Sequence, residues 1–289
     1  MKEIVKEKIA SLLSGDEEIL SVEQLGGMTN QNYLVQTSSN QYIVKFFGKG
    51  TDKLIDRQNE KFNLELLKDL KLDVENYLFD IEAGIKVNQY IENAETLNLE
   101  TIKTRFEKIA PILQTIHASG KELKGEFAPF EEIKKYESLI QGEIYYPNYE
   151  AVRKSVFSLK EELEQIGIEK KSCHIDLVPE NFIEAPDGHL YLIDWEYSSM
   201  NDPMWDLAAL FLESEFTPEE EENFLAHYES EKTPVSKEKI RIYKILQDII
   251  WSLWTIYKEE NGADFGDYGI SRYNRAVKEL DFKGGSHEN

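Results

Sequence analysis

The chain has 289 residues, 41% of them hydrophobic and 30% charged, which is enough apolar material for one large domain or two lobes. Its formal net charge is −22. A chain this acidic is a poor candidate for binding nucleic acid or an anionic membrane, because both need clustered Lys and Arg.

Cysteine content and hydropathy indicate the cellular compartment in which the protein is expected. Cys173 is the single cysteine, so no disulfide can form within the chain and a reducing compartment is favoured. The N-terminal segment is charged throughout, unlike a signal peptide, and no stretch is long and apolar enough to span a membrane. We therefore expect a cytoplasmic protein without nucleic-acid or membrane partners. The sequence does not specify an oligomeric state.

The N-terminal third combines helix-like and strand-like segments. Residues 2–13 carry apolar side chains at helical spacing, and residues 56–70 also predict a helix. Several runs rich in β-branched and aromatic residues predict strands. These runs are residues 19–25, 33–37, 42–47, 77–81 and 85–90.

The character of the sequence changes near residue 92, where strand-like runs give way to mostly helical sequence. This change predicts a β-rich lobe over residues 1–92 and a helical lobe over residues 93–289. The crossing segment at 87–92 can offer backbone N–H and C=O groups to an adenine ring.

A glycine pair lies between the first two predicted strands, in the segment LGGMTNQN. Gly26 and Gly27 permit a tight turn and a close backbone approach to a ligand, and polar Thr29 and Asn30 follow them. The segment is a candidate phosphate cover, although most such hairpin tips are only turns. Neither GxxxxGK[ST] nor GxGxxG occurs, which argues against P-loop and Rossmann nucleotide sites.

Lys45 lies inside the apolar run IVKFF. Burial of a lysine costs free energy unless the charge is paired, so Lys45 either faces solvent from an edge strand or reaches the phosphates of ATP. Glu60 lies on the next predicted helix. In kinases, a strand lysine pairs with a glutamate on that helix and binds the α- and β-phosphates, and these two residues have the same order.

The strongest motif is HxDxxxxN, formed by His174, Asp176 and Asn181, followed by a Pro-Asp-Gly turn at 186–188 and an apolar run that ends at Asp194. It predicts a hairpin with polar groups at its strand ends. Asp176 is suited to accept the proton of an attacking hydroxyl. Asn181 and Asp194 offer the amide and carboxylate oxygens that Mg²⁺ prefers.

Two acids share one face of a very apolar predicted helix over residues 204–215. Asp206 and Glu213 are seven residues apart, so their side chains lie on the same side. Burial of two carboxylates in such a helix is costly unless cationic or donor-rich groups meet them.

The helix predicted over residues 240–259 has a clean apolar stripe, but Trp251 and Trp254 lie off it. Either this helix is buried all round or the tryptophans, together with Tyr197 and Trp205, form an aromatic wall. Such a wall attracts a quaternary ammonium by cation–π interaction, worth about 0.5 to 2 kcal/mol per ring.

Together these motifs resemble the aminoglycoside phosphotransferase and choline kinase superfamily, and they are most similar to the bacterial choline kinases. The resemblance covers nearly the whole chain. Its carriers are LGGMTNQNYLV, QYIVKFFG, RQNEKFNLELL, CHIDLVPENF, LIDWEYSSMNDPMWDLAALFLE and DIIWSLWTIY. It implies an α+β, two-lobed, protein-kinase-like fold with a small β-rich N-lobe and a larger helical C-lobe.

The resemblance also implies a function: ATP- and Mg²⁺-dependent phosphorylation of choline, whose product in bacteria often decorates cell-surface polymers such as teichoic acids. Asp176 would be the catalytic base, with Asn181 and Asp194 as Mg²⁺ ligands. The implied ATP-binding residues are Gly26, Gly27, Thr29, Asn30, Lys45, Glu60, Gln89 and Ile91. The implied choline-binding residues are Asp176, Tyr197, Trp205, Glu213, Trp251 and Trp254.

Two departures from protein kinases argue against a protein substrate. Ile175 stands where those enzymes carry Arg, and no activation segment ending in Ala-Pro-Glu is present. Three alternatives stay open: an ethanolamine kinase, an aminoglycoside phosphotransferase and a non-catalytic choline- or nucleotide-binding scaffold.

Overall fold

The computed structural model describes residues 2–9, 12–13, 17–26, 30–48 and 50–284. The described α-helices are α1 (Lys2–Ile9), α2 (Arg57–Leu67), α3 (Phe106–His117), α4 (Pro129–Leu139), α5 (Tyr149–Ile166), α6 (Pro203–Glu213), α7 (Pro218–Tyr228), α8 (Lys237–Glu260) and α9 (Tyr268–Gly284). The described strands are β1 (Ile19–Gln24), β2 (Gln31–Thr37), β3 (Gln41–Phe46), β4 (Asn76–Asp80), β5 (Ile85–Gln89), β6 (Glu95–Thr96), β7 (Lys171–Cys173), β8 (Phe182–Glu184), β9 (Leu190–Leu192) and β10 (Ser199–Asn201).

The chain divides into two compact units. The first comprises Met1–Ile112 and Pro179–Ser198, and the second comprises Leu113–Val178 and Ser199–Asn289. The first unit thus extends past residue 92 and includes the predicted hairpin that ends at Asp194. The lobe boundary near residue 92 stays a prediction. Within the described ranges, no helix has the length and apolarity needed to cross a bilayer.

The first unit is built on an antiparallel sheet in the order β1-β2-β3-β5-β4. Alternate residues of β2 are buried, as expected for a sheet with one covered face, whereas β3 buries both Val44 and its neighbour Lys45. Val35, Val44 and Val87 form its core together with Val5 and Ile9 of α1. The five predicted strands are therefore present, whereas the predicted first helix is described only as far as Ile9.

A second, three-stranded sheet in the order β6-β8-β9 also belongs to the first unit. Strands β8 and β9 form the predicted hairpin, with Phe182 opposite Leu192. Its turn is closed by the Gly188 amide, which donates to the Ala185 carbonyl at 2.8 Å, and Gly188 has a φ of 86°. Glycine fits this left-handed conformation without strain.

The second unit is mainly helical, with a short antiparallel pair of β7 and β10. Its central helix is α8, which packs against α4, α5, α6 and α9. Nearly every α8 residue from Ile240 to Tyr257 is buried, so the helix is covered on most sides and not only along its apolar stripe. The prediction of a β-rich N-terminal region followed by a helical C-terminal region is confirmed.

Candidate active site

Lys45 and Asp194 form an ion pair in the first unit, in which Lys45 is buried and Asp194 is partly exposed. Lys45 Nζ lies 2.6 Å from Asp194 Oδ1, and Lys45 is 6% exposed. Burial lowers the pKa of Lys45, but the charges of Asp194 and Glu196 outweigh it and hold this pKa above its ordinary value. Of the two positions predicted for Lys45, the solvent-exposed one is therefore wrong. Its proposed contact with phosphate stays a prediction.

Glu60 is paired with two cations that sequence reasoning missed. Its carboxylate lies 2.7 Å from Arg57 Nη1 and 3.0 Å from Lys86 Nζ. Burial raises the pKa of Glu60, but Lys86, Arg57 and Lys45 outweigh it and lower this pKa. Lys45 donates its hydrogen bond to Asp194, and among the contacts of the described residues none joins it to Glu60, although its charge still lowers the pKa of Glu60. The Lys45–Glu60 pair as an anchor for the phosphates stays a prediction.

A sequence signal for Lys86 was present. Lys86 lies in the apolar run IKV and stands directly opposite Lys45 in the β3–β5 ladder. Like Lys45, it interrupts buried strand residues and requires a counter-ion, which Glu60 supplies.

The segment before β2 is attached to this buried charge cluster through Asn30. Asn30 Nδ2 donates to Glu196 Oε2 at 2.7 Å, and Asn30 Oδ1 accepts from Arg57 Nη2 at 2.9 Å. The Gly26 carbonyl accepts from Asn32 Nδ2 at 2.9 Å. The other two predicted residues of this segment, Gly27 and Thr29, lie outside the described residues.

The two candidate Mg²⁺ ligands stand at the same end of the β8–β9 hairpin. Asn181 closes a single 3₁₀ turn immediately before β8, and its backbone carbonyl accepts the Ile193 amide at 2.8 Å. Asp194 follows directly and has a left-handed backbone with a φ of 66°. An amide oxygen and a carboxylate next to each other fit the hard-oxygen chemistry of Mg²⁺. The Lys45 ammonium at the Asp194 carboxylate shows that this position already attracts a cation.

Asp73 is a further acidic residue of the first unit whose pKa is shifted. It is partly buried, and its Oδ1 accepts the Val74 amide at 2.8 Å. Burial raises the pKa of Asp73 to about 7, against the opposing effect of the Lys86 charge.

The predicted adenine contacts lie at the end of β5. The Gln89 amide donates to the Glu75 carbonyl at 2.8 Å, and the Ile91 carbonyl accepts the Ala94 amide at 3.3 Å. One backbone group of each residue is therefore already used. The Gln89 carbonyl and the Ile91 amide are the acceptor and the donor to consider for adenine.

In the second unit, the residues before Asp176 are held by Asp206 of α6. The Asp206 carboxylate accepts the His174 and Ile175 amides, each at 2.8 Å, and faces His117 Nε2 at 3.0 Å. Ile175 has a φ of 78°, a strained conformation for a β-branched residue. These hydrogen bonds confine Ile175 to that conformation and so orient the backbone that leads into Asp176.

Trp205 belongs to this support and not to a ligand pocket, so its assignment to choline binding is corrected. Its side chain is fully buried, and its indole N–H donates to the Ile175 carbonyl at 3.0 Å. Its ring packs against Phe127 and Tyr243 at centroid distances of 4.9 and 5.8 Å. Because this ring is covered by protein, it has no exposed face for an ammonium group.

Glu213, at the end of α6, meets a buried cation of α9. Arg272 Nη1 donates to Glu213 Oε1 at 2.5 Å and to the Tyr268 hydroxyl oxygen at 2.9 Å. The prediction that Asp206 and Glu213 require donor-rich or cationic neighbours is thus confirmed. Burial raises the pKa of Tyr268, and the negative charges of Glu213 and Asp176 raise it further, so Asp176 lies within electrostatic range of this cluster.

The two tryptophans of α8 meet edge to face with ring centroids 6.4 Å apart. The Trp254 ring also packs against Phe265 at 4.9 Å, and Phe265 lies 6.4 Å from Tyr268. Phe265 and Tyr268 were missed, although the segment DFGDY that carries them is a marked aromatic cluster in the sequence. Trp254 is 6% exposed and Trp251 is partly exposed. Tyr197 ends a short 3₁₀ helix of the first unit.

A comparison with known proteins identifies the family of this chain. The family model of choline/ethanolamine kinases matches residues 22–277. The chain belongs to the choline/ethanolamine kinase family. The crystal structure of choline kinase LicA from Streptococcus pneumoniae is 75% identical and has a TM-score of 0.94; the match covers 98% of this chain and 99% of that one.

Two further relatives agree. A crystal structure of LicA in complex with AMP is 76% identical, with a TM-score of 0.92 and coverage of 97% of this chain and 98% of that one. The protein LicA of Haemophilus influenzae strain KW20 is 30% identical over 88% of this chain and 99% of its own length. The predicted protein-kinase-like fold and the predicted family are confirmed, whereas the roles of single residues stay predictions.

Proposed function

We propose that this family member is a choline kinase that transfers the γ-phosphoryl group of ATP to the choline hydroxyl, giving phosphocholine and ADP. The observation that carries the proposal is the 75% identity to a choline kinase over almost the whole of both chains. The Lys45–Asp194 pair and the candidate oxygen ligands at the hairpin end correspond to the parts that phosphoryl transfer requires.

Asp176 is the proposed base that accepts the proton of the choline hydroxyl. Asp206 and Trp205 hold the backbone of Ile175, the residue directly before it. Asn181 and Asp194 would hold Mg²⁺, which when bound supplies positive charge to the phosphate oxygens. Lys45, whose ammonium lies at Asp194, is proposed to contact the donor phosphates and so to offset the negative charge that develops there.

Adenine is proposed to bind at the end of β5, through the Gln89 carbonyl and the Ile91 amide. An acceptor and a donor two residues apart match the amino group and the ring nitrogen of the adenine edge. The AMP complex of a 76% identical relative supports an adenine nucleotide as ligand. Asn30 and the glycines before it are proposed to cover the phosphates.

The acceptor site is proposed around Glu213, Trp251 and Trp254 of the second unit, and Tyr197 stays a sequence-based candidate for the same ligand. Arg272 neutralises Glu213, so this carboxylate has less charge to offer a primary ammonium. Aromatic faces attract a trimethylammonium by cation–π interaction without hydrogen bonds. This balance favours choline over ethanolamine, which stays the second candidate because the matching family model covers both substrates.

An enzyme that consumes ATP and choline is proposed to act in the cytoplasm. Its phosphocholine would then be available for transfer to cell-surface polymers such as teichoic acids. A non-catalytic scaffold is disfavoured, since Lys45, Asp176, Asn181 and Asp194 are all present.

A panel of acceptors tests the proposal. Purified protein with ATP and Mg²⁺ is given choline, ethanolamine or an aminoglycoside, and ADP release is measured. We expect choline to give a kcat/KM at least tenfold above that of ethanolamine, and no acceptor-dependent release with aminoglycosides. A preference for ethanolamine would contradict the choline assignment but leave phosphoryl transfer intact. If none of the acceptors in the panel stimulates ADP release, both the choline assignment and phosphoryl transfer are contradicted.

A further inference from the structure

Arg57 lies at the centre of the buried charge cluster of the first unit, although the sequence analysis assigned it no role. Its Nη1 is shared between Glu60 Oε2 at 2.7 Å and Glu196 Oε2 at 2.8 Å, and its Nη2 donates to Asn30 Oδ1 at 2.9 Å. Its guanidinium carbon stands 4.1 Å from the centroid of the Phe47 ring. The residue is 7% exposed, so these contacts form in a region that is shielded from water.

The contacts of Arg57 reach several segments of the proposed nucleotide site. Asn30 belongs to the loop before β2, and Phe47 follows the strand of Lys45. Glu60 lies on α2, and Glu196 comes two residues after the proposed metal ligand Asp194. One guanidinium therefore connects the proposed phosphate cover, the lysine strand and the turn that follows the metal ligand.

Stability alone is a weak reason for such a cluster. Burial of several charges costs free energy that their mutual attraction often only offsets, and apolar replacements of buried ion pairs are frequently neutral or stabilising. Arg57 Nε is in addition a buried donor without a hydrogen-bond partner among the described residues. Such a buried unpaired donor adds to the cost of the cluster and calls for a reason other than stability.

We propose that Arg57 is a positioning residue for the nucleotide site, which fixes Asn30 and Glu196 relative to each other before ATP binds. This inference rests on the proposed function and gives a role to a residue that the proposed function leaves without one. Lysine cannot replace arginine here, because a single ammonium lacks the planar fork that meets two carboxylates and an amide at once.

Replacement of Arg57 tests the proposal through nucleotide binding, apart from turnover. The variants are Arg57→Met, Arg57→Lys and Asn30→Ala, and the probe is ADP, measured by titration calorimetry. Loss of a hydrogen bond to a charged group corresponds to about a tenfold to hundredfold change. We expect Arg57→Met to weaken ADP binding at least tenfold and to raise the KM for ATP similarly, with the choline KM changed less than twofold. The ADP affinity of Arg57→Lys should lie between those of wild type and Arg57→Met.

Arg105→Met is the matched control in the same unit. Arg105 Nε lies 2.6 Å from Glu184 Oε2, and no contact of Arg105 reaches Asn30 or Glu196. Its loss should leave ADP affinity within twofold of wild type. Thermal unfolding of each variant separates lost stability from lost positioning, because a purely structural Arg57 would lower the unfolding midpoint and leave ADP affinity unchanged.

A double-mutant cycle between Arg57→Lys and Asn30→Ala gives a second readout that does not depend on the folding of Arg57→Met. If Arg57 acts through Asn30, the double variant binds ADP about as weakly as the weaker single variant. Additive losses, or unchanged ADP affinity in folded Arg57→Met and Arg57→Lys, would overturn the proposal. Failure of the wild-type protein to bind ADP would overturn the proposed function itself.

Discussion

Replacement of Asp206 by asparagine should separate the support of the catalytic loop from its chemistry. Asp206 is fully buried, and its two oxygens accept the His174 and Ile175 amides and face His117. Asparagine has nearly the same shape but a single acceptor oxygen. If that oxygen keeps the contacts of Oδ2, the amide nitrogen faces the Ile175 N–H, and two donors oppose each other.

The size of the effect follows from these contacts. A hydrogen bond from a backbone amide to a charged acceptor contributes about 1.5–3 kcal/mol, so Asp206→Asn should lower the free energy of unfolding by about 2–3 kcal/mol. Ile175 also loses a hydrogen bond that confines its left-handed backbone, a conformation that costs about 1–2 kcal/mol. Relaxation of Ile175 would displace Asp176, and the same 1–2 kcal/mol in the barrier corresponds to roughly a tenfold lower kcat.

The assay compares Asp206→Asn with Asp202→Asn on the same helix. The buried Asp202 carboxylate accepts the Met204 and Glu169 amides, each at 3.0 Å, and pairs with Lys239 Nζ at 2.7 Å. Both variants should unfold at lower temperature, but only Asp206→Asn should show a reduced kcat with nearly unchanged KM values. Equal kcat for Asp206→Asn and wild type would refute the argument that Asp206 positions Asp176.

Three further predictions concern single side chains. Asp176→Ala should abolish choline-dependent turnover while ADP affinity stays near that of wild type, and near-normal turnover would remove Asp176 as the base. Trp254→Ala should raise the choline KM at least tenfold and the ATP KM much less; an equal rise in both would indicate a packing role. Asp73 has a pKa of about 7 in the folded state, above its value in the unfolded state, so the folded state binds more protons between about pH 4 and 7. The contribution of the protonated Asp73 to stability is therefore present at low pH and is lost as the pH rises through 7. Asp73→Asn should therefore raise the unfolding midpoint at pH 8 relative to wild type and lose this advantage at pH 5; the same difference at both pH values would contradict the raised pKa.

Local features of this protein are predictable from its sequence because they depend on neighbours in the chain. The β8–β9 hairpin follows from two short apolar runs around a Pro-Asp-Gly turn, and the need of Lys45 for either solvent or a charged partner follows from its place among apolar strand residues. The need of Asp206 and Glu213 for donors also follows, because both interrupt an apolar helix.

The choice of partners is less predictable, since it depends on how distant segments meet. Glu60 has the place in the sequence that is expected of the partner of Lys45. In the structure Glu60 forms its ion pairs with Lys86 and Arg57, and Lys45 forms its ion pair with Asp194. A helical wheel shows that Trp251 and Trp254 lie off the apolar stripe, but it does not show which residues cover them. For Trp205, its aromatic character suggested a ligand, whereas its indole N–H serves the Ile175 carbonyl.

Direct detection of the product is the measurement that tests the central claim most closely. The protein is incubated with ATP, Mg²⁺ and choline, and the reaction is followed by phosphorus NMR. We expect the γ-phosphate signal of ATP to be replaced by that of a phosphomonoester identical to authentic phosphocholine, in equal amount to ADP. Release of inorganic phosphate alone, or ADP formation that does not depend on choline, would contradict the assignment of choline as the phosphoryl acceptor.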